Sequence, residues 1–278
     1  MDFLDIDGTR LECRWVGPAP EDARTIVFLH EGLGSVSTWR DVPDALAAAT
    51  GCGALVYSRA GYGHSDAVDL PRPVRFMHDE AETLAKVVRA AALRDVILLG
   101  HSDGASIALI AAGRRAIPGL RALVLEAPHV FAEPCGLRSI ARIAETYRTT
   151  DLRARLERHH GANADTAFRG WNGVWLHPDF RAWNIEEFLP GIQVPALVVQ
   201  GERDEYGSWA HVDSIQRGSG GPVRTVAVPD CGHAPHAEQR EAVLGAMATF
   251  IRDVLGPSGA EKGAPRTRSG DAVSRLLA

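Results

Sequence analysis

The chain has 278 residues, 45% hydrophobic and 23% charged, a size and balance that allow one large domain with a substantial core and exclude a disordered or fibrous protein. A formal charge of −5, with Lys and Arg scattered rather than striped, offers no field for a phosphate backbone, so nucleic acid is not an expected partner. Apolar runs are strand-length, far short of the ~20 residues that cross a bilayer, and the opening Met1-Asp2-Phe3-Leu4-Asp5 lacks a basic-then-apolar leader, so no membrane partner and a cytoplasmic location are expected.

Asp7-Gly8 between two short alternating runs predicts a hairpin turn. Strand-like apolar runs follow at 25–29, 54–57, 96–99, 122–125, 196–200 and 223–228, several of them separated by helical patterns at 78–93, 104–114 and 238–255. Such alternation, with nearly continuous apolar strands, implies a mainly parallel sheet covered by helices on both faces. The rhythm fails over 130–190, which is helical, basic and tryptophan-rich. A folded insertion is expected there, because structureless loops beyond ~15 residues are uncommon in compact domains. The expected organisation is a core of residues 1–129 and 191–255, a helical lid at 130–190 and a flexible tail at 256–278, with a short helix at 272–277. Four cysteines, Cys13, Cys52, Cys135 and Cys231, form no C-x-x-C pair and are expected to be buried free thiols.

The strongest chemical signal is Leu98-Leu99-Gly100-His101-Ser102-Asp103-Gly104, an apolar strand running through G-x-S-x-G into a helical pattern. That sharp strand-to-helix turn exposes a serine at the sheet's carboxyl edge, which makes Ser102 the candidate nucleophile. A serine hydroxyl needs a base at neutral pH, and an imidazole suits that role. Of the eleven histidines, His233 is best placed, in a loop after the last strand and before the last helix. His236 could form a metal pair with it, but no thiol or carboxylate clearly completes a site, so His236 is expected at a helix start or on the surface, and neither metal nor cofactor is expected.

Asp204, after the strand at 196–200, is the candidate acid that fixes the imidazole tautomer. Glu202, Glu205 and above all Glu126, at the end of another strand, are rivals; the order Ser, Asp, His favours Asp204. The oxyanion donors are expected from the amide of Asp103 and from Gly32, in the loop His30-Glu31-Gly32-Leu33-Gly34-Ser35. The Asp103 carboxylate would oppose developing negative charge unless it points away; its place in a first helical turn suits the helix dipole.

These motifs, with Tyr57-Ser58-Arg59-Ala60-Gly61-Tyr62-Gly63-His64-Ser65, 201–207 and 232–238, resemble the α/β-hydrolase superfamily, especially small bacterial esterases and carbon–carbon bond hydrolases with a helical lid. Glu31 stands where such relatives commonly carry Gly, and Asp103 where many carry an apolar or amide residue. Ser102 differs from the Asp nucleophile of epoxide hydrolases and haloalkane dehalogenases, and the proline-peptidase signature H-G-G-P-G is absent.

Trp171, Trp175 and Trp183 in the expected lid would favour an apolar or aromatic acyl group, or would simply hold the lid together. The primary expectation is hydrolysis of a small carboxylic ester through an acyl-enzyme. A C–C hydrolase of a ring-cleavage product, an acyl thioesterase and a non-catalytic hydrolase-like receptor are the alternatives.

Overall fold

The structure, a computed structural model, describes residues 2–256; beyond Gly256 the expected tail and its helix lie outside the described residues. Strands β1 (Asp2–Ile6) and β2 (Thr9–Val16) pair antiparallel. They are joined by Asp7 and Gly8, both at positive φ (53° and 84°), the mirror-image turn that matches the right-handed twist of the strands. β2 runs antiparallel to β4 (Gly53–Tyr57). β4, β3 (Thr25–Leu29), β5 (Val96–His101), β6 (Leu120–Glu126), β7 (Ala196–Gly201) and β8 (Val223–Val228) form parallel neighbours.

The sheet order is β1-β2-β4-β3-β5-β6-β7-β8. The chain leaves β3 to one side for β4, then crosses back to β5 on the other. This reversal falls at the carboxyl ends of β3 and β5, the kind of switch point at which open parallel sheets bind ligands.

Alternate residues of the buried strands feed two apolar layers. Ile26, Phe28, Val56, Ile97, Leu99, Val124 and Val199 face helices α1 (Val42–Thr50) and α9 (Arg240–Leu255) through Leu46, Met247 and Ile251. Val27, Leu29, Leu55, Leu98, Leu123 and Val198 share the opposite layer with α2 (Phe76–Ala90), α3 (Asp103–Gly113) and α7 (Ala210–Gly218). α3 is buried along nearly its whole length, as a helix enclosed by sheet, α2 and insertion must be.

β5 continues two residues past its apolar run, because Gly100 and His101 still pair with Leu125 and Glu126; polarity hides that continuation from a reading based on hydrophobicity. The helix expected over 238–255 is split at Gln239, whose φ −127° and ψ 49° are not helical, into α8 (Pro235–Glu238) and α9.

Between β6 and β7 lie α4 (Pro134–Thr149), α5 (Leu152–His160), α6 (Ala164–Trp175) and short 3₁₀ turns. The base of this insertion is closed by an isolated bridge between Phe131 and Asn184, with Ala132 N–H donating to Trp183 O at 3.0 Å and Ile185 N–H to Val130 O at 2.8 Å. Its far part is pinned to the core. Asn163 Nδ2 donates to Gly63 O and Ser65 O, and His160 Nδ1 accepts the Gly63 amide at 2.9 Å while its Nε2 lies 3.0 Å from Leu33 O.

Candidate active site

Ser102 caps the start of α3 with φ 52° and ψ −117°, a conformation that costs a non-glycine residue of order 1–3 kcal/mol and must be imposed by its surroundings. The neighbouring glycines show how. A Cβ on Gly104 would lie 2.0 Å from Leu29 O, and one on Gly100 would lie 2.4 Å from Gly104 O. The elbow therefore closes only without side chains at these two positions, and Ser102 N–H is held by Glu126 O at 2.9 Å.

The loop after β8 brings His233 Nε2 to 2.9 Å from Ser102 Oγ. The other ring nitrogen, Nδ1, lies 2.9 and 2.8 Å from the two carboxylate oxygens of Asp204. An N–H at Nδ1 donating to Asp204 leaves Nε2 free to accept the serine proton. Asp204 also accepts from Gln200 Nε2 (2.8 Å) and from the Tyr206 amide (2.8 Å). Burial opposes its charge, but the hydrogen bond and charge of His233, with the Tyr206 amide, outweigh that and hold the carboxyl below its ordinary value.

Glu126, the main rival acid, meets a different histidine. Its oxygens accept from His236 N–H at 2.5 Å and face His236 Nδ1 at 2.7 Å. His236 thus stands at the start of α8 as expected, but its side chain is largely buried rather than at the surface, because Glu126 draws it inward. Beside this pair, His101 Nε2 lies 2.7 Å from His233 O, and His101 Nδ1 faces Glu31 at 3.7 Å. His101, Glu126 and His236 offer ligand atoms within 4.8 Å of one another, but these groups already serve the hydrogen bonds just described.

The loop that carries Gly32 rests on Arg59. The guanidinium donates to His30 O (2.5 Å) and Glu31 O (3.1 Å), and the Arg59 amide donates to His30 Nε2 at 3.1 Å. Among the described residues, the Gly32 and Asp103 amides donate to no protein acceptor. Gly32 itself lies under Trp171, where a Cβ would come 2.1 Å from the indole nitrogen.

The Asp103 carboxyl does not point to solvent. It is fully buried, with Oδ1 accepting from Trp175 Nε1 at 3.1 Å and Oδ2 unpartnered. Burial is the largest influence on it, and despite the nearby Arg59 the group is pushed up to about 6. The helix-start placement expected to favour its charge is overridden by loss of solvent. Trp175 also contacts Phe180 and Trp183, and Trp183 stacks on Phe180 with centroids 5.2 Å apart. The three tryptophans are buried; Trp171 lies against Gly32 and Trp175 against Asp103 and His129, while Trp183 packs on Trp175 and Phe180.

A sequence profile described as "Alpha/beta hydrolase family" matches residues 26–246, a span that contains every residue described at this site. The chain belongs to the alpha/beta hydrolase family. Human serine hydrolase BPHL is 32% identical over 173 residues, 59% of this chain and 57% of that protein; its mouse counterpart is 29% identical over 171 residues, 58% and 56% of the two chains. The chain thus spans little more than half the length of these curated relatives.

Solved structures share the fold of this family member. An esterase from Thermogutta terrifontis superposes with a TM-score of 0.69 at 17% identity, covering 92% of this chain and 99% of the other. The enol-lactonase from Burkholderia xenovorans LB400 gives 0.68 at 22%, with coverages of 90% and 99%. CarC, a serine hydrolase involved in carbazole degradation, gives 0.71 at 18%, with 90% and 97%.

Several groups at this hydrolase-family site escaped the motif reading. Arg59 lies within the 57–65 motif, and His101 within G-x-S-x-G itself, yet their roles as supports of the surrounding loops depend on contacts across 28 and 132 positions of sequence. Glu126 and His236, 110 positions apart, carried a signal as strand-end and loop residues but not as a pair.

Proposed function

We propose that the chain is a serine hydrolase that cleaves a small carboxylic ester through an acyl-enzyme. The observation that carries this reading is the continuous hydrogen-bonded chain from Ser102 Oγ through His233 to Asp204, at a strained strand-to-helix elbow. His233 Nε2 would take the serine proton as Oγ attacks the ester carbonyl. The Gly32 and Asp103 amides would receive the oxyanion. His233 would then return the proton to the departing alcohol, and water, deprotonated by the same imidazole, would release the acid.

The helices of 130–190 serve in this reading as a lid, with Trp171, Trp175 and Trp183 around an apolar or aromatic acyl group. The names of the relatives, a serine hydrolase, an esterase and an enol-lactonase, agree with ester cleavage. Buried thiols at Cys13, Cys52 and Cys231 fit a reducing, cytoplasmic setting.

Initial rates on p-nitrophenyl esters, acyl thioesters and a ring-cleavage dienoate, for the native chain and Ser102→Ala, test the proposal. Ser102-dependent turnover of esters above the other classes supports it. Preference for the dienoate or a thioester replaces the bond type, and turnover that survives Ser102→Ala refutes the nucleophile.

A further inference from the structure

His101 is buried and sits between the three segments that the proposed chemistry needs. Its own peptide leads into Ser102, its Nε2 lies 2.7 Å from the carbonyl of His233, and its Nδ1 faces the Glu31 carboxylate of the oxyanion loop at 3.7 Å. Its ring lies 5.2 Å, centroid to centroid, from both His233 and His236. To donate to a carbonyl, Nε2 must carry a hydrogen. A neutral ring would then turn a bare, buried Nδ1 lone pair toward a carboxylate, whereas a second proton converts that opposition into an ion pair.

The charged and titratable groups around it are Glu31 from the oxyanion loop, Glu126 from the end of β6, His236 from α8 and His233 from its loop; Trp39 adds an uncharged ring. Burial works against a charge on His101, but Glu31 and Glu126 prevail and raise the imidazole to about 9.

We infer that His101 is a positioning residue, a buried imidazolium strut that holds the His233 loop and the oxyanion loop in register with Ser102. The inference rests on the triad reading above. The strut fixes the peptide that carries the general base through one hydrogen bond, and the loop that carries Gly32 through one ion pair. Loss of the proton from His101 would release the second of these.

The rate of labelling by a fluorophosphonate tests this from pH 6 to 10 without knowledge of the substrate. In that reaction Ser102 Oγ forms a P–O bond, fluoride leaves, and the serine proton passes to His233. The native chain is expected to lose labelling rate as pH rises through about 9. His101→Leu, folded by circular dichroism, is expected to label about 100-fold more slowly, the scale of loss for a small misplacement of reacting groups. His101→Gln, which keeps a donor but no charge, is expected to recover part of that rate and to lack the alkaline decline.

A folded His101→Leu protein that labels within about twofold of the native chain, or a native rate that stays flat from pH 8 to 10, overturns the inference. If His101→Leu does not fold, Glu31→Gln decides: an alkaline decline moved to lower pH supports the strut, and an unmoved one overturns it. A native chain that is not labelled, or a Ser102→Ala protein labelled as fast, refutes the triad reading and takes this inference with it.

Discussion

Two carboxylates end neighbouring strands or their loops, and each is paired with a different histidine, Asp204 with His233 and Glu126 with His236. Only His233 reaches Ser102 Oγ. Asp204→Asn is therefore expected to lower kcat about 10⁴-fold through loss of tautomer control, and Glu126→Gln far less, as measured by steady-state kinetics on the best ester. The reverse ranking would make Glu126 the acid of the mechanism. Asp103 presents a different case, a carboxyl raised by burial from 3.8 to about 6. The folded chain holds that proton more tightly than the unfolded one, so this group's contribution to stability is full below about pH 4 and is lost as pH rises through about 6. Asp103→Asn removes the titration. Urea unfolding at pH 4.5 and 7 is expected to show the variant gaining on the native chain at the higher pH, on the order of 2 kcal/mol; an equal difference at both pH values would contradict this.

At the scale of elements, the elbow between β5 and α3 is possible because α3 approaches β3 closely. Gly104→Ala places a methyl 2.0 Å from the backbone oxygen of Leu29, which no side-chain adjustment relieves, and a loss of about 3 kcal/mol or a failure to fold is expected. Gly173, on the exposed side of α6, has nothing within 4 Å of the added carbon. Gly173→Ala is expected to stabilise by about 0.5–1 kcal/mol through helix propensity alone. Thermal or urea unfolding of the pair checks both signs. The insertion itself is secured at two levels, by its Phe131–Asn184 base and by His160 and Asn163 against the 63–65 segment. The sequence marks it only as a break in the strand–helix rhythm, since its anchors join positions about 50 apart at the base and about 100 apart at its far part.

For the molecule as a whole, stability concentrates where both faces of the sheet are covered. β3 and β5 are buried at every residue and lie between two apolar layers, whereas β1 and β8 form the edges and are largely half-buried or exposed. Amide hydrogen exchange is expected to be slowest in β3 and β5 and fastest in β1 and β8, because edge strands open without disrupting either layer. Fast exchange in β3 would show that the two layers do not unfold as one unit.

The strand–helix alternation, the Asp7-Gly8 hairpin and the elbow around Ser102 were legible in the sequence because each rests on local physics: residue periodicity, turn chemistry and the absence of Cβ atoms. The same holds for the order Ser102, Asp204, His233, which loops at the ends of parallel strands bring to one edge. Other features belong to the tertiary structure. Which acid meets which histidine depends on side-chain directions at the ends of β6 and β7. The inward carboxyl of Asp103 depends on Trp175, which is 72 positions away. The links from Arg59 to the 30–35 loop and from His101 to His233 join segments that only the folded sheet makes neighbours, and at Asp103 burial reverses the charge preference that its place at a helix start implies.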